Sequence, residues 1–101
     1  MSVFALEILT PAGSFFKAQA SSVTLKGQAG SLGILARHAP LLARLQPGPI
    51  HIKTDGQERV FAAGAGWVEV TRAGVSVLVD SARPADHSAA QVERGGSTTI
   101  T

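Results

Sequence analysis

A serine flanked by glycines is the first feature of this sequence that could do chemistry. The run Ala-Gly-Ser-Leu-Gly at residues 29–33 is similar to the turn that exposes a nucleophilic serine in lipase-like hydrolases. Such a Ser31 needs an acid and a histidine later in the chain, and Asp55 or Asp80 with His87 would satisfy that order. The residues that follow have the pattern of a strand rather than a helix, and the hydrolase fold needs a far longer chain. We therefore predict a glycine-rich hairpin and keep a small hydrolase as an alternative.

Histidines are the next candidates, as metal ligands. His38, His51 and His87 match no compact ligand spacing, and the chain contains no cysteine to join them. The absence of cysteine also excludes disulfides and a thiol nucleophile. His51 alternates with apolar residues beside Lys53, which predicts that it lies on the solvent side of a strand. We expect no metal and no cofactor.

Phosphate and nucleic-acid sites are also poorly supported. Gly-Ala-Gly at residues 64–66 begins like a dinucleotide-binding fingerprint, but it lacks the third glycine and precedes a strand. Nine basic and seven acidic residues give a net charge of +2, which is too small and too dispersed for a nucleic-acid surface. We expect no nucleic-acid partner.

Alternation with a period of two dominates the chain and predicts strands. With 101 residues, 45% of them hydrophobic, the chain is long enough for one domain with one core. Turn-forming residues recur every ~8–12 residues, as in an antiparallel sandwich or barrel. Asp55-Gly56 suits a tight hairpin, because glycine accepts a positive φ. No apolar run reaches the length of a membrane span, and the N-terminus does not resemble a secretory signal. The clearest alternating faces are Phe4, Leu6 and Ile8, and Val75, Val77 and Val79.

The composition changes at Arg83-Pro84. Residues 85–94 lose the alternation and contain helix formers, with Asp86 as a possible cap and Gly95-Gly96 as a stop. We predict a sandwich over residues 1–83 and a short, weakly helical tail over residues 84–101.

The segment 32–45 carries apolar residues at most positions, whereas a strand with one wet face should alternate. Either it is buried on both faces or crosses between sheets, or a partner protein covers one of its faces.

This segment also carries a family resemblance. Residues 31–42, Ser-Leu-Gly-Ile-Leu-Ala-Arg-His-Ala-Pro-Leu-Leu, resemble the signature Glu-Leu-Gly-Ile-x-Pro-Gly-His-Ala-Pro-Leu-Leu of the ε subunit of F-type ATP synthases. Four further blocks, at residues 6–13, 47–52, 64–70 and 75–82, resemble the family's strands and turns in the same order. The resemblance covers residues 3–83.

The resemblance implies a roughly ten-stranded, all-β sandwich that is a non-catalytic part of the central-stalk rotor. Its implied partners are the γ subunit and the membrane c-ring, and indirectly the catalytic α/β hexamer. Its implied place is the cytoplasmic face of the bacterial inner membrane, as a peripheral part of the complex. A sandwich module that binds a small ligand or a carbohydrate is the alternative, and a row of exposed Trp or Tyr would favour it; the chain has one Trp and no Tyr.

The resemblance also implies contact residues. Ser31 stands where the signature has glutamate, and Arg37 stands where it has glycine, so Arg37 supplies a new positive charge. The residues implied for contact with the c-ring are Gly30, Ser31, Arg37 and His38. Those implied for contact with γ are Thr10, Phe15, Leu41, Leu42 and Ala43.

Family members continue into two C-terminal helices that can act as an inhibitory latch. Residues 85–94 would form a helix of only about 15 Å, at 1.5 Å of rise per residue. We expect this chain to couple γ to the ring without such a latch and without binding ATP.

Overall fold

Ten short strands form the regular structure of residues 2–85, the part of the chain that this computed structural model describes. No element in that range is a helix, so none could cross a membrane as a helix. The predicted all-β class is confirmed, while the predicted helix, apart from Ala85, and His87 lie outside the described residues. The strands are β1 (Phe4–Thr10), β2 (Gly13–Ala20), β3 (Ser22–Gly27), β4 (Gly30–Leu35), β5 (Leu41–Leu45), β6 (Gly48–Thr54), β7 (Gln57–Ala63), β8 (Gly66–Thr71), β9 (Gly74–Val79) and β10 (Ala82–Pro84).

The strands form two layers joined at one edge. The first layer has the order β5-β8-β9-β1-β2, and the second has the order β10-β7-β6-β3, with β4 on the far side of β3. A single residue pair, Gly27 with Leu45, connects β3 to β5 and so joins the layers. Every ladder is antiparallel except that between β1 and β9. These two strands are distant in the chain, so no tight turn imposes opposite directions on them.

Alternate side chains of both layers fill the space between them. Leu6 and Ile8 are buried as predicted, and Phe4 packs against them half-buried. Removing this apolar surface from water is the main force that holds the layers together. The six largest side chains that are fully enclosed are Ile8, Ile34, Ile52, Val23, Val68 and Val77.

The over-apolar segment 32–45 crosses between the layers, one of the structural alternatives predicted for it. β4 pairs with β3 in the second layer, and β5 pairs with β8 in the first. Ile34 and Leu45 are buried, but Leu35 and Leu42 are each 65% exposed. Burial in the core therefore explains some apolar residues of this segment but not Leu35 and Leu42.

The predicted hairpin at Asp55-Gly56 joins β6 to β7, with Thr54 paired to Gln57. Gly56 has a φ of +71°, as the glycine prediction requires. Within residues 2–85, Arg37 is the only non-glycine residue with a positive φ, so the φ of Asp55 is negative. The turn therefore lacks the two positive φ angles of a type I′ turn.

Gly66 is required by close approach of the backbone, and it supplies a test of the β8–β9 pairing. A Cβ at this position would overlap the backbone carbonyl oxygen of Leu78. Because neither strand can move without breaking its ladder, we expect Gly66→Ala to lower the free energy of unfolding by about 2–3 kcal/mol. Urea denaturation measures this change. Gly33→Ala is the matched control, since Gly33 also lies in a strand but has open space around the new methyl group. Equal denaturation midpoints for the two variants would contradict this explanation.

Candidate partner-binding surfaces

The described part of the chain contains no assembled catalytic site. Ser31 lies on the exposed start of β4, in the predicted glycine-rich hairpin, where Gly30 has a φ of +135°. It shares a shallow groove with His51, whose Nδ1 lies 3.6 Å from Glu58 Oε2, but no hydrogen bond joins Ser31 to that histidine within residues 2–85. In the same range no three His, Asp or Glu residues come together as metal ligands.

Instead, the solvent side of the first layer carries an apolar patch, which we call the outer patch. It consists of Leu42, Trp67 and Leu78, which are 65%, 42% and 45% exposed, together with Arg44. Trp67 is paired across β8 with Arg44 on one side and with Leu78 on the other. The Arg44 guanidinium carbon lies 4.9 Å from the centroid of the Trp67 ring, within range of a cation–π contact. Leu42 is the diagonal cross-strand neighbour of the tryptophan.

Charged residues border the outer patch. Glu69 is paired with Leu42 on one side and with Ser76 on the other. Glu7 continues this row on β1, and its Oε2 lies 3.9 Å from Lys17 Nζ. An apolar centre of large side chains with a charged border is the usual composition of a protein-binding surface.

Of the residues predicted to contact γ, only Leu42 lies in the outer patch. Its neighbours Leu41 and Ala43 point the other way and pack against the core. Thr10 ends β1, and its hydroxyl accepts a hydrogen bond of 3.2 Å from the Ala12 backbone N–H. The alternation of β5 explains this division, because successive side chains point to opposite faces.

Phe15, the fifth of those residues, belongs to an aromatic cluster at the edge of the first layer. A β-bulge lies opposite Ile8 and Leu9, so that Phe15 has no partner in the ladder. A bulge can turn consecutive side chains to the same side, and here both Phe15 and Phe16 reach Phe61, at ring-centroid distances of 5.2 and 4.9 Å. Phe15 is half-buried, so it is as much a structural residue as a surface one.

The residues predicted to contact the c-ring occupy the two ends of β4. Gly30 and Ser31 begin the strand, whereas Arg37 and His38 follow its end. Five steps of extended chain separate the strand's ends by about 17 Å. Within residues 2–85 β4 pairs only with β3, so its other edge is open.

Arg37 has an unusual backbone conformation, with a φ of +66°. This left-handed region favours glycine, the residue that the signature quoted above has at this position. His38 closes the turn by donating its backbone N–H to the carbonyl oxygen of Leu35 at 3.2 Å. Its Nδ1 also lies 2.7 Å from the carbonyl oxygen of Ala39. The turn is thus held by the histidine, while the arginine side chain is exposed.

Sequence reasoning placed Leu78 on the face opposite Val77 but did not combine it with Trp67 into a surface patch, although the signal was present. Val68 and Val70 alternate with Trp67 and Glu69, and Val77 and Val79 alternate with Leu78. Burying the valines on a strand forces the larger residues to the solvent side. A tryptophan or leucine out of phase with a buried valine set is therefore the observation that indicates such a patch.

Comparison with known proteins identifies the family. The sequence profile described as "ATP synthase, Delta/Epsilon chain, beta-sandwich domain" matches residues 3–85. The chain belongs to this family. The ATP synthase epsilon chains of two strains of Desulfitobacterium hafniense are each 36% identical to it over 83 residues. Each match covers 82% of this chain and 63% of the relative. The matched region thus spans less than two thirds of these relatives' length.

Solved structures share the fold of this family member. A chain in the cryo-EM structure of the Euglena gracilis mitochondrial ATP synthase (OSCP/F1/c-ring, rotational state 1) matches with a TM-score of 0.78 and 21% identity, covering 100% of this chain and 69% of that one. A chain in the central stalk/c-ring structure of the Tetrahymena thermophila mitochondrial ATP synthase matches with a TM-score of 0.69 and 21% identity. That match covers 97% of this chain and 77% of the other. At these identities the similarity shows the fold alone.

Proposed function

We propose that this chain is a non-catalytic rotor subunit of an F-type ATP synthase, which couples γ to the c-ring in proton-driven ATP synthesis. The observation that carries the proposal is the family match over residues 3–85, which includes all ten strands. The named relatives are epsilon chains, and the similar solved structures contain a c-ring. Because those epsilon chains are bacterial, we place the subunit at the cytoplasmic face of the inner membrane, peripherally, within the complex.

The outer patch is the proposed contact with γ. The largest exposed apolar side chains of the first layer are Leu42, Trp67 and Leu78. The neighbouring Arg44 and Glu69 supply charges that can select one orientation of γ. The backbone of Thr10 adjoins the outer patch, because the preceding residue Leu9 is paired with Leu78, while the Thr10 side chain points to the other face. Leu41 and Ala43 support this contact from the core side, and Phe15 supports it from the edge of the layer.

The proposed contact with the c-ring lies along β4. A contact that includes both Ser31 and Arg37 would have to follow the open edge of the strand over its full length. Many modest polar contacts, each worth about 1 kcal/mol, can together carry torque along such an edge. Arg37 contributes a formal charge, which Ser31 does not.

Charge reversal tests the role of Arg37 in coupling. We expect Arg37→Glu to lower ATP-driven proton pumping more at low than at high ionic strength, because salt screens the contact of an exposed charge. Pumping and ATP hydrolysis are measured together in reconstituted vesicles, with Arg83→Glu as the matched control on β10. Equal coupling of wild type and Arg37→Glu at every salt concentration would contradict the placement.

The rotor function itself is tested by reconstitution with and without the chain. Addition should raise the number of protons pumped for each ATP hydrolysed, since γ is then connected to the ring. No change in this ratio, with the chain present in the complex, would contradict the proposed function.

We also propose that the tail of this chain is not an inhibitory latch. Residues 86–94 offer only alanines and one valine as apolar anchors, and Gly95-Gly96 follows. Ala85 still belongs to the fold, because its N–H donates to the carbonyl oxygen of Val60 at 3.0 Å. The test is therefore deletion of residues 86–101, which should leave the rate of ATP hydrolysis unchanged. A several-fold rise would show that the tail inhibits.

A further inference from the structure

Within residues 2–85, five large hydrophobic residues are exposed, and they divide between two places. Three belong to the outer patch, and the other two, Val3 and Leu35, line a groove at one end of the sandwich. This groove lies between residues 2–5, the β4–β5 connection and the β8–β9 turn, and its volume is about 840 Å³. Of the two contacts proposed above, the γ contact lies elsewhere, and the c-ring contact shares only Arg37 and His38 with the groove.

Within residues 2–85, the charged side chains that line the same groove are basic. Arg37 and Arg72 contribute guanidinium groups and His38 an imidazole, and none of the described lining residues is acidic. Neither arginine forms an ion pair within residues 2–85. A guanidinium group matches the geometry of phosphate oxygens, with which it forms bidentate hydrogen bonds.

The conformation of Arg37 adds a second observation. A residue with a side chain is held at a φ of +66°, where glycine would be free of strain. Strained residues of this kind cluster at ligand-binding sites, because the surrounding structure keeps them there at a cost in stability. Here the strained conformation keeps a guanidinium at the rim of the groove.

Two backbone N–H groups at the groove are occupied within the molecule. The Ala73 N–H donates to Thr71 Oγ1 at 3.1 Å, and the His38 N–H donates to the Leu35 carbonyl oxygen at 3.2 Å. The groove itself offers charged side chains and aliphatic surface. This combination suits an anion that also carries hydrocarbon.

We propose that the groove binds the headgroup of an anionic phospholipid. The phosphate lies between Arg37 and Arg72, and the glycerol and first acyl carbons contact Val3 and Leu35. The assignment goes beyond the proposed rotor function. Arg72 has no part in the proposed ring contact, so its substitution separates lipid binding from coupling.

The test uses the purified full chain and vesicles of phosphatidylcholine with or without phosphatidylglycerol. Wild type should sediment with the anionic vesicles only. Arg37→Gly and Arg72→Ala should each bind about fivefold more weakly, the effect of one cation near an anionic surface. Arg83→Ala removes the same charge away from the groove and should bind within about twofold of wild type. Equal losses for all three variants would show nonspecific attraction and overturn the proposal.

Three further readouts separate a lipid site from its alternatives. The midpoint temperature of thermal unfolding of Arg37→Gly should equal or exceed that of wild type, because the strain is removed. Weaker lipid binding by a folded Arg72→Ala supports the proposal even if the glycine variant is unstable. Short-chain phosphatidic acid should compete with the vesicles better than glycerol phosphate, and equal competition would overturn the role of Val3 and Leu35. If both groove variants bind vesicles like wild type but are lost from the assembled ATP synthase, the groove is a protein contact and the proposal is wrong.

Discussion

Leu42→Asp should weaken binding to the γ subunit by about 30- to 100-fold, the size of effect that central interface residues produce. The substitution places a carboxylate in the outer patch, directly opposite Glu69 and diagonal to Trp67. Desolvating that unpaired charge against an apolar surface of γ is unfavourable. The affinity is measured by titration of purified γ from the same enzyme, and Trp67→Ala should have an effect of similar size.

Leu35→Asp is the matched control for this result. Leu35 has the same side chain and the same 65% exposure, but it lies on β4 in the second layer. Both variants should stay folded, although the Glu69 carboxylate opposite position 42 should lower the denaturation midpoint of Leu42→Asp slightly, and only Leu42→Asp should lose γ. Equal losses for the two variants would contradict the outer patch as the γ contact.

Phe61→Ala should cause the largest loss of stability, about 3–5 kcal/mol as for other buried phenylalanines. Phe61 is 3% exposed and contacts both Phe15 and Phe16, while the guanidinium carbon of Arg59 lies 5.5 Å from its ring centroid. Its removal leaves a cavity and also removes the surface on which the other two rings rest. Since small domains are stable by only about 5–15 kcal/mol, the variant should be close to unfolding. Urea denaturation measures the change.

Phe15→Ala is the graded control, because Phe15 is half-buried and contacts Phe61 by its edge. It should cost clearly less than Phe61→Ala. A cost as large as that of Phe61→Ala would show that the bulge, rather than the central ring, holds this edge together. The same contact means that Phe15→Asp would change stability as well as surface, so Leu42 is the sharper probe of γ binding.

Local periodicity predicted the shared faces of β1 and β9. The alternation around Val77 places it in the core and Leu78 at the surface, and the structure agrees. These assignments succeed because the side-chain direction of a strand depends only on its register. The glycine-rich hairpin around Ser31 was also predictable, because its turn depends on glycines adjacent in the chain.

Features that depend on distant residues were not predictable. The parallel pairing of β1 with β9 and the bulge opposite Ile8 and Leu9 arise from packing between segments far apart in the chain. The groove combines residues 2–5, 35–40 and 70–75, and no pattern in one segment indicates the others. Likewise, the resemblance grouped Ser31 with Arg37 as ring contacts, but only the extent of β4 shows that they lie at its opposite ends.

Cross-linking in the assembled enzyme tests the central claim, that the outer patch of the proposed rotor subunit faces γ. The chain has no cysteine, so each single substitution provides one reactive thiol. Leu78→Cys places it in the outer patch, and Lys53→Cys places it on the exposed side of β6 in the other layer. With a short thiol-directed photoreactive cross-linker, Leu78→Cys should yield a product with γ and Lys53→Cys should not. A γ product from Lys53→Cys alone, or a Leu78→Cys thiol that stays open to soluble reagents in the intact complex, would contradict the account.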